Sequence, residues 1–209
     1  MRLHLIRHGE TNWNAERRVQ GQSESRLSDN GIEQARALGG RIGAIAFDAV
    51  YCSSSRRTRE TVQNCLPRDK YRITYQDQLR EIFMGPWEGR LYDEIAGAET
   101  ESFHHFWHEP HKFRVDGAET FLDLQQRALA AITAIAAQHR NREIAMVSHG
   151  AFIKSVLCHA AGRPISELWA PPPLHNCAHS IIELNKDDTW RIMQVADKPV
   201  RANQSDQGS

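Results

Sequence analysis

Two short apolar runs, residues 3–7 and 143–148, each lead straight into a histidine followed by glycine, as Arg7-His8-Gly9 and Ser148-His149-Gly150, and strand-like and helix-like periods alternate between them. Alternation of this kind constrains the chain to an α/β architecture, with helices flanking a mostly parallel sheet. In open sheets of that class, ligands bind at loops leaving the carboxyl ends of the strands. Parallel neighbours would therefore bring both histidines to one edge.

The periods fall as follows. Ser28 or Asp29 caps a helix whose apolar positions Ile32, Ala35, Leu38, Ile42 and Ile45 recur every three or four residues. Residues 47–51 read as a second strand, Ser53 or Ser54 opens a helix toward Cys65 that Pro67 stops, and residues 71–75 read as a third strand. Thr120 and Asp123 have capping-box spacing, ahead of an apolar face formed by Phe121, Leu124, Ala128, Ile132 and Ile135. A helix over 151–161 ends at Gly162-Arg163-Pro164, and two runs, 177–184 and 190–195, read as a terminal hairpin. The expected whole is a three-layer α/β/α sandwich over residues 1–200, with a flap inserted at about 90–118 and a flexible polar tail at 201–209.

Composition narrows the partners. Twenty-six basic residues balance twenty-six acidic ones, so no global field favours nucleic acid or an anionic membrane. No segment approaches the roughly 20 apolar residues a membrane span needs. Cys52, Cys65, Cys158 and Cys177 lack C-x-x-C spacing and read as free thiols in a reducing, cytoplasmic setting.

The residue types at the strand ends suit phosphoryl chemistry. Imidazole is a nucleophile near neutral pH, and the guanidinium fork of Arg7 matches phosphate oxygens. The run Ser53-Ser54-Ser55-Arg56-Arg57-Thr58-Arg59 adds arginines near a helix N-terminus, where an anion is already favoured. In a helix Arg56 and Arg59 point at different angles from Arg57, so one or both read as solvated surface charges, with Arg59 the one that could graze a substrate. Glu81, in a turn-rich segment, offers a proton donor.

These pieces resemble the histidine phosphatase superfamily, in its phosphoglycerate mutase-like branch, over residues 2–195. Arg7-His8-Gly9-Glu10-Thr11 continues to Asn14, followed by Gln20-Gly21 and Leu27-Ser28-x-x-Gly31-x-x-Gln34-Ala35. Tyr51-x-Ser53-x-x-x-Arg57-x-x-x-Thr61 is similar to the second motif of that branch and singles out Arg57 over Arg56. Leu79-x-Glu81 with Gly85-x-Trp87-Glu88-Gly89 resembles its proton-donor segment, and Val147-Ser148-His149-Gly150 its last motif.

The resemblance implies metal-independent, cofactor-free phosphoryl transfer through a phosphohistidine on His8. Arg7, Arg57 and His149 would hold the phosphoryl oxygens, and Glu81 would act as acid and then base. Asn14, Gln20, Gly21, Tyr92 and Gly150 are the further candidate phosphate- and substrate-binding residues. Two cations beside Glu81 favour its ionised form, whereas an arriving phosphate dianion favours the protonated one, so substrate would create its own proton donor.

Mutases of this branch also hold a distal phosphate. Where they carry a lysine this chain has Tyr92, and in place of their arginine pair it has Lys112 and Arg114. Asp116-Gly117-Ala118-Glu119-Thr120 is similar to the corresponding run in short phosphatase members. The expectation is thus a phosphatase for a small phosphomonoester, covered by Phe103, Phe106 and Trp107. A mutase-type phosphotransferase is the first alternative, and a phosphate-binding regulatory protein the second. His104, His105, His108 and His111 read as part of a polar flap rather than a metal site, and an exposed hairpin edge makes a homodimer an expectation.

Overall fold

Side-chain alternation along two adjacent strands makes the sheet two-sided. On β1 (Arg2–Arg7), Leu3 and Leu5 enter one apolar cluster and Ile6 the other; on β4 (Glu143–Ser148), Ile144 and Met146 divide in the same way from Ala145 and Val147. Helices cover both faces, as a parallel sheet requires. Helix α2 (Asp29–Ile42) contributes Ala35, Leu38 and Ile42 to one cluster, joined by Val62 and Cys65 of α3 (Arg56–Cys65). On the other face lie α6 (Phe121–Gln138), with the five apolar positions expected of it, and α7 (Gly150–Ala160). The computed structural model describes residues 1–67, 69–185 and 189–200; the expected tail at 201–209 lies outside them.

The seven-stranded sheet has the order β3-β2-β4-β1-β5-β6-β7, where β2 is Ala49–Ser53, β3 Ile73–Gln76, β5 His179–Leu184, β6 Trp190–Val195 and β7 Lys198–Pro199. The first four strands run parallel, and β5, β6 and β7 join antiparallel. Helix α1 (Asn12–Ala15) follows β1, and α4 (Tyr92–Ala98) and α5 (Thr100–His108) lie between β3 and α6. These last two form most of the segment expected as a flap. An aromatic cluster of Trp87, Phe106, Phe113, Phe121 and Trp169 anchors it, with ring centroids 5.2–6.0 Å apart in the contacts Phe106 makes to the other four.

Several boundaries differ from the sequence reading, each for a local reason. The second strand starts at Ala49 because Asp48 turns to bind Arg142 and the Glu143 amide, and it runs on to Ser53, paired with Gln76. Ser55, not Ser53 or Ser54, stands at the N-cap of α3, since Ser53 is still strand. The third strand begins at Ile73. Strand β5 starts at His179 because Cys177 has a φ of 55°, which no strand accommodates. The expected caps at Ser28 and at Thr120 with Asp123 are present, the latter a reciprocal box worth about 1 kcal/mol.

Candidate active site

Register brings the two histidines together. Arg7 pairs with Ser148 at the carboxyl ends of β1 and β4, and the His8 amide donates to the Ser148 carbonyl at 3.0 Å. The imidazoles of His8 and His149 follow, with ring centroids 5.3 Å apart. The loop after β1 is pinned by the Gly9 amide, which donates to Thr61 Oγ1 on α3. A Cβ at Gly9 would lie 2.6 Å from the Gly31 carbonyl oxygen, so only glycine lets α2 pack this closely.

His8 has a defined tautomer. Its Nδ1–H donates to the Gly9 carbonyl at 2.7 Å, which leaves the lone pair on Nε2. Burial, with Arg57 and then Arg7 nearby, holds the imidazole well below its ordinary range, so it is neutral at neutral pH.

Arg57 is fully buried. Its three nitrogens donate to the carbonyls of Ser23 and Gly21 and to Nδ1 of His149, at 2.9, 2.6 and 3.2 Å. Burial pulls the guanidinium down to about 10, still a cation at neutral pH. The carbonyls that hold it are themselves set by Glu88, which accepts from the Gln22 and Met84 amides and from Ser23 Oγ. Arg7 donates to the Leu174 carbonyl, and its buried Nε has no partner among the described residues. An orphaned guanidinium donor at this depth is costly unless something anionic meets it.

Glu81 sits at the start of α7. Its two oxygens accept from the amides of Ile82, Ala151 and Phe152, each at 3.0 Å, which fixes the carboxylate beside Gly150.

A cavity of about 430 Å³ joins these groups. Arg7, His8, Asn14, Gln20, Gly21, Arg57, Glu81, Tyr92 and Gly150 all line it. Asn14 uses Oδ1 to accept from Thr11 within the α1 cap. The Tyr92 hydroxyl is pushed up to about 12 by desolvation and by Glu81. His149 is not in that lining: it is fully buried between Arg57 and Ser53, whose Oγ is 2.8 Å from Nε2.

The comparisons with known proteins agree with this geometry. The family model described as the histidine phosphatase superfamily (branch 1) matches residues 3–198. The chain belongs to that superfamily. Among its relatives, the probable phosphoglycerate mutase GpmB of Salmonella choleraesuis is 31% identical over 192 residues, 91% of this chain and 87% of that protein. Phosphoserine phosphatase 1 of Hydrogenobacter thermophilus is 27% identical over 186 residues, 89% of this chain and 88% of that protein. The solved structure of Bacillus stearothermophilus YhfR superposes with a TM-score of 0.90 at 36% identity, covering 95% of this chain and 98% of that one. The expectations of a histidine phosphatase enzyme and of its three-layer fold therefore hold.

Other expectations for this histidine phosphatase are corrected. Arg59 does not reach the cavity; it bonds the Ser54 carbonyl and stacks over Tyr75 at 4.6 Å. Phe106, a core residue, and the exposed Trp107 both line the cavity, whereas Phe103 does not. Lys112 pairs with Glu109, and Arg114 turns to its own segment's carbonyls. Sequence reading missed Lys154 and Trp169 in the wall. A signal existed for the first: Lys154 is the only charge in the apolar stretch 151–158. Among the described residues no helix is long and apolar enough to cross a membrane.

Proposed function

We propose that this chain is a metal-independent phosphatase that hydrolyses a small phosphomonoester through a phosphohistidine on His8. The observation that carries the reading is the state of His8: neutral, with its proton committed to the Gly9 carbonyl and its Nε2 lone pair in a cavity flanked by Arg7 and Arg57.

In the first half-reaction Nε2 attacks phosphorus in line, the P–N bond forms and the ester P–O bond breaks. Arg7 and Arg57 stabilise the non-bridging oxygens, with the Asn14 side-chain amide as a further donor. Glu81 gives its proton to the departing alkoxide. In the second half-reaction Glu81 takes a proton from water, whose oxygen attacks phosphorus as the P–N bond breaks, which releases phosphate and restores His8. His149, neutral and bonded to Nε of Arg57, holds that guanidinium in position. The apolar side of the cavity, from Val19 and Ile82 to Met84 and Trp169, receives the leaving group. Four free thiols support a reducing, cytoplasmic setting for the same activity.

The relationship to a mutase-named protein favours a second reading, phosphotransfer with retention of a second phosphate. Against it, Lys112 and Arg114 are engaged outside the cavity, so neither is placed to hold a second phosphate. A panel of phosphorylated metabolites, assayed in EDTA with and without 2,3-bisphosphoglycerate, separates the two. Phosphate release that needs no bisphosphate supports the phosphatase; bisphosphate-dependent isomerisation of 3-phosphoglycerate that exceeds phosphate release overturns it.

A further inference from the structure

Among the described residues, Lys154 is the charged side chain of the cavity lining that the phosphoryl transfer above does not use. It sits on α7 with its residue surface 9% exposed, among buried neighbours from Ala151 to Cys158. Its ammonium donates to the carbonyls of Ala170 and Pro172, and no carboxylate pairs with it among the described residues. Two neutral carbonyls leave one of three N–H donors over and the charge uncompensated, an expensive arrangement at this depth. The same side chain lines the cavity that holds His8.

Helix geometry gives the distance. Lys154 follows Gly150 by four residues, one turn along the same face, which is a rise of about 6 Å. Its side chain leans back toward the helix N-terminus, so the ammonium and the phosphoryl-binding end share one wall. The span from phosphorus to the carboxylate carbon of a phosphorylated three-carbon acid is about 5 Å from ordinary bond lengths. Arg7 and Arg57 serve the phosphoryl end; Phe106, Trp169 and Leu174, which line the same cavity, are apolar and offer no competing charge.

We propose that Lys154 is a specificity-determining residue that pairs with a carboxylate on the leaving group, so that the preferred substrates are phosphomonoesters of short hydroxy acids. This rests on the phosphatase reading above. Such a carboxylate supplies the missing counter-charge at a depth where the attraction is stronger than in bulk water. An uncharged leaving group leaves the ammonium as it is. The carbonyl bonds also tie the 170–172 segment to α7, so a tether role must be separated from recognition.

The test compares esters that differ only in the carboxylate: 3-phosphoglycerate against glycerol 3-phosphate, and O-phosphoserine against O-phosphoethanolamine. Wild type should favour the carboxylated member of each pair in kcat/KM by about 10- to 100-fold, the size of a charge-assisted hydrogen bond. K154M should erase that ratio and K154R should retain most of it. A ratio unchanged in K154M, with both members slowed alike, or no preference in wild type, overturns the proposal. Should K154M fail to fold, K154Q, which keeps a donor for the carbonyls without the charge, reads the same ratio. Calorimetric titration of the four esters into the H8A variant gives the ratio as binding constants, independent of turnover. Absence of all hydrolysis by wild type would refute the phosphatase reading, while these binding ratios would still decide the role of Lys154.

Discussion

Arg57 donates its Nε–H to Nδ1 of His149 at 3.2 Å, and Nε2 of the same imidazole meets Ser53 Oγ at 2.8 Å. A guanidinium can only donate, so Nδ1 accepts and the proton of His149 sits on Nε2. Burial, Arg57 and His8 all push this imidazole well below its ordinary range, which keeps it neutral. On the proposed mechanism His149 acts on substrate through Arg57. Replacing it with alanine should cost about 100-fold in kcat, the scale of a misplaced clamp. H149N, whose amide oxygen can accept from Nε, should recover most of that loss, and equal losses in the two variants would contradict the positioning role.

Glu81 accepts from three backbone amides; a glutamine oxygen can keep the Ile82 and Phe152 pair, whereas its NH2 cannot accept from Ala151. E81Q should lower kcat by about 10²- to 10⁴-fold for alkyl phosphates, whose alkoxide needs a proton. The loss should be much smaller in the phosphorylation step with p-nitrophenyl phosphate, whose phenolate leaves unaided. Burst kinetics measure that step, and the same deficit for both leaving groups would remove Glu81 as the acid.

Gly21 has a φ of +51°, and a Cβ there would lie 2.1 Å from Glu88 Oε1. The carboxylate that would have to move sets the loop whose carbonyls clamp Arg57. G21A should lower the melting temperature by about 2–10 °C, as 1–3 kcal/mol of strain does in a domain of this size, and lower kcat/KM as well. E88Q should reproduce the loss of kcat/KM without the backbone strain. Full activity in both would show that the clamp does not depend on this loop.

Acid stability should report a second histidine pair, His4 and His179, neither of which lines the cavity. His179 accepts from Gln194 and meets Nδ1 of His4 at 2.9 Å, and His4 Nε2 meets Glu143 at 2.6 Å. Burial, then His4 and Arg41, pull His179 down to about 4 against the opposing charge of Asp197. Between pH 6.5 and 4 the unfolded chain binds a proton that folded His179 refuses. The stability is whole above the unfolded value and is lost as pH falls, by up to about 1.4 kcal/mol per pH unit. Urea unfolding at several pH values should show this slope, reduced in H179Q; an unchanged slope would assign the acid sensitivity elsewhere.

The sheet and the polar half of the site were legible because they depend on local order: strand periods, caps at Ser28 and Thr120, and motif residues fixed at strand ends. What stayed hidden depends on side-chain direction and on distant segments. Ser53 reads as a helix cap by residue type, yet the strand carries it one step further, to His149. Trp169 arrives from a proline-rich connection with no period, and Lys154 sits in an apolar helix where lysines usually reach for solvent.

The central claim is a covalent phosphate on His8, and rapid acid-free quenching of wild type with ³²P-labelled substrate tests it directly. The account predicts a label that is stable in alkali, lost in acid, mapped to the peptide containing His8, and absent from H8A. Label on another residue, or turnover in H8A at the wild-type rate, would contradict it.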